Sequence, residues 1–261
     1  MGGEFPLDVL LMRNVAFVIE YLGRDFCGWQ YQKNGTSVQG ELERAIESVT
    51  GEKVRLTASG RTDAGVNAKG QVANFITDCD ISCRKLPLGV NIALPEGISV
   101  RKAVDVPIGF NARKDALKKT YIYRFYISST PSPLRMHTYM QVYKPLAVSD
   151  MAEGAAAFVG VHDFKGFMSA GSNEKTTVRE IYECRAETFG DEVWITVTGN
   201  GFLYNMVRIM AGALLRVGQG RIPADFIPEL IDSGERKLAG KTLPPQGLTL
   251  EKVYYDVDGL R

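Results

Sequence analysis

GRTDAGVNAKGQVANF, Gly60 to Phe75, joins two stretches that read as strands, Lys53 to Ala58 and Gly70 to Thr77, and it fixes the order of the elements around it. In the second stretch apolar Val72, Ala73 and Phe75 alternate imperfectly with polar Gln71 and Asn74, as in a strand with one wetter face. Asp63 therefore falls in a strand-to-strand connection, where functional groups concentrate because rigid strands carry the loop. Gly65 permits a tight turn or the close approach of a ligand, and Arg61 is placed to hold the acid ionised by charge pairing. The same Asp-Ala-Gly also suits a turn closed by an Asx side chain, and the turn in isolation does not separate the two readings.

Outward from this loop the elements follow a regular order. A strand at Asn14 to Tyr21 precedes a helix at about Ser37 to Thr50, with Val38, Leu42, Ala45, Ile46 and Val49 on one face. Thr36 and Gln39 have capping-box spacing, and Gly51 ends the helix. Beyond the loop, a short helix at Leu86 to Ala93 tolerates Pro87 in its first turn and leads into a strand at Ile98 to Val104. This is the β-α-β-β-α-β order of ferredoxin-like folds.

The remaining sequence repeats it. A strand at Thr120 to Ile127 leads to a helix after Ser149, with Met151, Ala155, Phe158 and Val159 inward and Gly160 closing it. Strands at Val178 to Thr188 and Val193 to Thr198 precede a helix at Leu203 to Val217 whose apolar stripe omits Arg208. A small helix at Asp225 to Ile231 and a strand at Leu248 to Val257 complete the pattern. The expected fold is α+β: two ferredoxin-like halves, residues 12–112 and 113–258, forming one continuous, mostly antiparallel sheet with helices on one face and a central cleft as the binding site.

Composition narrows the chemistry. With 261 residues, 45% hydrophobic and 23% charged, the chain suits a globular protein with a substantial core, and no run approaches the roughly twenty apolar residues of a membrane span. The apolar run near the start is broken by Arg13 and Asn14 and lacks a basic leader and a cleavage site, so secretion is not expected. The residues before Met12 read as an extension, and Gly2 lacks the downstream Ser or Thr of a myristoylation signal. Four cysteines, Cys27, Cys79, Cys83 and Cys184, without CxxC spacing, and two histidines, His137 and His162, are poor material for zinc and fit free thiols in a reducing cytosol.

A net charge of +1 neither marks nor excludes a nucleic-acid binder, because the placement of charge matters more than its sum. Between Arg113 and Arg124, five basic residues stand against the single acid Asp115, with Tyr121 and Tyr123 among them. That mixture suits phosphate neutralisation beside base stacking, and equally a strand edge guarded by lysines. Gly240-Lys241-Thr242 imitates the end of a phosphate-binding loop, but Glu235 occupies the first glycine position. There is no HExxH, GxSxG, dinucleotide fingerprint or RNP1 pattern, and His162-Asp163-Phe164 reads as a structural close to the preceding helix.

Seven separated blocks give the chain a specific resemblance: EYLGRDFCGWQYQ at Glu20 to Gln32, SVQGELERAI at Ser37 to Ile46, the Gly60 to Phe75 stretch, LGVNIALP at Leu88 to Pro95, FNARKDALKKTYIY at Phe110 to Tyr123, GFLYNMVRIMAG at Gly201 to Gly212, and PPQGLTLEKVYY at Pro244 to Tyr255. In this order they resemble the TruA family of tRNA pseudouridine synthases from about Asn14 to Asp256. The resemblance implies isomerisation of uridine to pseudouridine at conventional tRNA positions 38, 39 and 40, a cytoplasmic homodimer sharing each bound tRNA, and no metal or organic cofactor. Moving C1′ from N1 to C5 of the base changes neither oxidation state nor atom count, so a positioned carboxylate can serve.

By the same resemblance Asp63 matches the catalytic aspartate, Arg208 the arginine that pairs with it, Tyr121 the tyrosine at the uridine site, and Arg61 a basic neighbour in the catalytic loop. Leu248 matches an apolar support beneath the base. Three positions depart from the usual histidines: Asn67, Asn111, and Tyr204-Asn205 in place of a His-His pair. An amide keeps hydrogen bonding but not titration near neutral pH, so the departures bear on substrate detail. The alternatives are a related synthase acting on other tRNA positions or other RNAs, and an RNA-binding protein that kept only the scaffold.

Overall fold

The computed structural model describes residues 12–171 and 174–260; Gly2 and the remaining residues before Met12, read above as an extension, lie outside them. β1 (Arg13–Tyr21) runs antiparallel between β3 (Asn67–Thr77) and β4 (Ile98–Val106). Its Val15, Phe17 and Ile19 are buried, and Phe17 meets Phe75 of β3 edge-on at 5.1 Å between ring centroids. On its other side β3 takes β10 (Leu248–Tyr254) in parallel, and β10 pairs antiparallel with β5 (Lys118–Ile127). β9 (Glu192–Gly199), β8 (Val178–Phe189) and β7 (Gly160–Asp163) continue the sheet antiparallel from β5.

The strand order is β4-β1-β3-β10-β5-β9-β8-β7, with β2 (Thr57–Ala58) beside β3 and β6 (Met140–Val142) parallel to β5. The result is a mixed α+β architecture on a ten-stranded, mostly antiparallel sheet. Among the described residues no helix is long and apolar enough to cross a membrane.

The helices form where the apolar spacing places them, with local corrections. α1 (Val38–Thr50) buries Val38, Leu42, Ala45 and Ile46, and Gly51 ends it at φ 74. Its cap is Ser37, whose Oγ accepts from Gly40 N at 3.2 Å, rather than Thr36. Gln39 is drawn away from a capping box, because its Oε1 accepts from Tyr31 N at 3.1 Å and its amide donates to Glu43. α2 (Leu86–Ala93) packs on α1, and α3 (Val148–Ala156) packs on β8 and on α4 (Met206–Gly218), followed by α5 (Phe226–Ser233).

Several expected boundaries move, the start of α4 from Leu203 to Met206 among them, and three of the shifts have a visible local cause. The strand expected from Lys53 shrinks to β2, since Glu43 Oε1 instead takes Leu56 N at 3.0 Å. Val159 is exposed, because the chain leaves α3 at Ala156 and Gly160, at φ 117, opens β7 instead of closing a helix. β10 stops at Tyr254 because Tyr255 turns to pack on Phe110, its hydroxyl donating to Ala112 O at 2.6 Å.

The parallel contact of β3 with β10 covers two register positions, Thr249 with Asn67 and Leu250 with Ala68, so side chains must fasten it. Asn67, 3% exposed, accepts from Gly23 N at 2.8 Å and donates to Gln246 O at 2.9 Å and His137 O at 3.1 Å. One buried amide thus ties β3 to three distant segments, a task that needs a donor and an acceptor in one side chain. Asn67→Ala strands a buried N–H and two carbonyls and should lower unfolding free energy by about 1–3 kcal/mol. Urea denaturation checks this, and an unchanged midpoint would show that the amide does not secure the seam.

Candidate active site

The loop between β2 and β3 is fastened on every side. Ser59 Oγ bonds Gln71 Oε1 at 2.6 Å, Gln71 Nε2 donates to Gly60 O at 3.0 Å, and Trp29 N donates to Thr62 O at 3.1 Å. Tyr21 and Thr62 share a hydrogen bond between hydroxyls at 2.7 Å. Two glycines are required here. A Cβ on Gly28, at φ 104, would stand 2.8 Å from Thr62 O, and one on Gly65, at φ 79, would stand 2.7 Å from Pro245 Cγ. The backbone under Asp63 is therefore clamped between neighbouring segments that leave no room for a side chain.

Among the described residues the Asp63 carboxylate accepts no local backbone N–H, which removes the Asx-turn reading. It meets Arg208 of α4, Oδ2 to Nη1 at 3.5 Å. Arg208 is held by two further bonds, Nε to Leu243 O at 2.7 Å and Nη1 to Asn205 Oδ1 at 2.6 Å. The Asp63 side chain is 31% exposed and that of Arg208 14%, so the pair is partly desolvated. Burial raises the Asp63 pKa above the ordinary carboxylate value, and the charge and hydrogen bond of Arg208 pull it back.

Asp63 opens on a cavity of about 1210 Å³ whose lining includes Arg61, Tyr121 and Leu248. Arg208 lies outside that lining and braces the acid from behind. Arg61 is exposed on the cavity wall and lies beyond ion-pair distance of Asp63, so the brace comes from α4 and not from the loop itself. Tyr121, 9% exposed, packs its ring edge-on to Phe202 at 5.1 Å. Its phenol is pushed far above the usual range by burial, then by the nearby Tyr21 and Asp63, so it stays protonated. Leu248, buried on β10, gives the wall an apolar patch.

Lys119 was legible only as part of a basic run, and the structure gives it a place. Its Nζ donates to Ser59 O at 2.7 Å beneath the Asp63 loop, and burial, then Arg113, lower its pKa to about 8. Its signal in the sequence is the i, i+2 spacing from Tyr121, which puts both on one face of β5. The amides in place of usual histidines also find work. Asn111 Oδ1 caps the turn carrying the basic residues by accepting from Arg113 N at 3.0 Å and Lys114 N at 3.1 Å. Among the described residues no group of three or more His, Cys, Asp or Glu is placed to hold a metal ion.

Comparison with known proteins adds independent ground. The model of a family described as tRNA pseudouridine synthase matches residues 17–113 and 155–256. The tRNA pseudouridine synthase A of Acetivibrio thermocellus is 46% identical over 244 residues, covering 94% of this chain and 100% of the relative. That of Geotalea daltonii is 45% identical over 244 residues with the same coverage, and that of Caldicellulosiruptor bescii 46% identical over 245 residues, covering 94% and 100%. A chain of a solved Cbf5-Nop10-Gar1 complex aligns at a TM-score of 0.32 and 11% identity over 77% of this chain and 54% of that one, too distant a likeness to bear on the fold.

The raised pKa of Asp63 sets a stability test. A carboxyl that binds its proton more tightly when folded burdens the fold only when ionised. The burden is absent below about pH 4, the unfolded value, and grows as pH rises through the folded pKa. Asp63→Asn should therefore match the parent at acid pH and exceed it in stability at neutral pH. Chemical denaturation at the two pH values checks this, and a variant less stable at neutral pH would mean that Arg208 outweighs burial.

Proposed function

The chain belongs to the tRNA pseudouridine synthase family and is an isomerase that makes pseudouridine in tRNA; from that premise we propose that its targets are uridines at positions 38, 39 and 40 of the anticodon stem and loop. The observation that carries the reading is one carboxylate, Asp63, braced from behind by Arg208 and facing a cavity walled by Tyr121 and by basic side chains. Residues 12–112 and 113–258 act as two ferredoxin-like halves with helices on one face and the RNA-binding cleft between them. Two features support this. The order β4-β1-β3 with β2 beside β3 has its counterpart in β10-β5-β9-β8, and the family match falls into two stretches, 17–113 and 155–256. Under the same reading the protein works as a cytoplasmic homodimer.

A uridine in the stem must leave the stack to reach the cavity, at a cost of a few kcal/mol that aromatic contact and phosphate neutralisation offset. Arg61, exposed at the wall, is placed to meet the displaced strand, and Leu248 supports the base from below. Ionised Asp63 then acts at the base or at C1′ as the N1–C1′ bond breaks. The base turns, C5 bonds to C1′, and the C5 proton leaves while N1 gains one. Because its phenol is protonated, Tyr121 moves that proton as a relay, donating from its hydroxyl as it accepts. Substrate choice rests on backbone contacts, which serve an enzyme that modifies several neighbouring positions better than reading each base edge does.

Tritium released from tRNA carrying 5-tritiated uridine counts the lost C5 proton. Asp63→Ala should abolish release while tRNA binding stays within about tenfold, roughly 1.4 kcal/mol; undiminished turnover would remove the mechanism. Mapping pseudouridine in tRNA from cells with and without the protein tests the positions, since loss at other sites would favour the related synthase. Tyr121→Phe should slow release by about a hundredfold with little change in melting temperature, and unchanged kinetics would reduce its hydroxyl to packing.

A further inference from the structure

Asn205, the residue ahead of the first turn of α4, has φ 63 and is the one non-glycine residue with a left-handed φ among the described residues. Asparagine tolerates that region better than most residues, but holds it only where the surroundings fix it. Its side chain is engaged at both ends. Nδ2 donates to Ser169 Oγ at 3.0 Å, and Oδ1 accepts from Arg208 Nη1 at 2.6 Å. That nitrogen is the one standing 3.5 Å from Asp63 Oδ2. The other anchor of Arg208, Nε to Leu243 O at 2.7 Å, leaves the guanidinium free to pivot about Nε unless a second point is held. Asn205 holds the second point.

We propose that Asn205 is a positioning residue for the reaction: its amide oxygen fixes the Arg208 guanidinium so that Asp63 faces a charge at one distance and one angle. The inference rests on the roles proposed for Asp63 and Arg208. The groups around the Asp63 carboxylate are Arg208 from α4, Tyr121 from β5 and exposed Arg61 from its own loop, with Lys119 and Arg113 on the same cavity wall. Among these, Arg208 is the cation in contact with the acid, so freeing it weakens the brace that keeps Asp63 ionised.

Asn205→Gly is the informative variant, because glycine accepts the left-handed φ at no steric cost and removes only the amide. We expect kcat to fall by about tenfold to a hundredfold, KM for tRNA to stay within about twofold, and the acid limb of the kcat profile to move to higher pH. Titration of the Asp63 carboxyl by carbon-13 NMR in the free protein should move the same way. Unchanged kcat and an unmoved titration would overturn the proposal whatever happens to the melting temperature. A fall in kcat without a shifted titration would overturn it too, since the damage would bypass the Arg208–Asp63 pair. If Asn205→Gly does not fold, Ser169→Ala, which frees the amide from its outer anchor, reads the same titration. Failure of the wild type to modify tRNA would instead count against the functional reading, and the NMR titration would still decide the positioning.

Discussion

The site depends on a balance between desolvation and one guanidinium. Asp63 sits far enough from water that its ionised form is disfavoured, yet the role proposed for it requires the carboxylate. Arg208 restores part of what burial removes, and from 3.5 Å it does so without filling the carboxylate's bonding capacity. A tight bidentate pair would engage both carboxylate oxygens and leave little for a substrate. A solvent-facing pair would be screened and worth little. The partly buried, single-contact arrangement lies between these limits, with the cation behind the acid and the cavity in front.

Holding that balance needs rigidity on both sides, and the fold supplies it from separate parts of the chain. The acid rides on a loop clamped by Gln71, Trp29 and Tyr21, while the guanidinium rides on α4, anchored to Leu243 and Asn205. Their relative position depends on how β3 meets β10. That parallel contact is short, and the Asn67 amide reaches across it to Gln246, adjacent to the β10 strand that carries Leu248. A buried amide that makes no bond to the carboxylate thus bears on how the acid and the guanidinium are held relative to one another.

Long periodic elements were legible because burial decides them: the α1 stripe of Val38, Leu42, Ala45 and Ile46 appears as spaced. Asp63 and Arg208 could be paired only through the resemblance, since 145 positions separate them and no local pattern links a loop to a distant helix. Arg61 misled for the opposite reason. Nearness along the chain suggested a pair, but the loop carries its side chain to the exposed wall. β6 and β7, three and four residues long, are too short for periodicity to register, and sheet pairing alone creates them. The Asn205 contact has a helical i, i+3 spacing, but its left-handed backbone has no sequence signal beyond the asparagine itself.

A net charge of +1 conceals how the cavity is built. Arg55, Arg61, Arg113, Lys119 and Arg179 all line it, against Asp63 and Glu174, so positive charge is concentrated where the global sum gives no hint of it. Lys119 sharpens the point, because burial and Arg113 lower its pKa to about 8 and leave its charge responsive to what enters. A phosphate brought near would favour the protonated amine, and the proton taken up would strengthen the attraction in turn. By the linkage that couples a raised pKa to tighter binding, polyanion affinity should then weaken as pH climbs past about 8. The lysine also holds Ser59 O beneath the Asp63 loop, so one side chain couples backbone support of the acid to the electrostatics of the cavity wall.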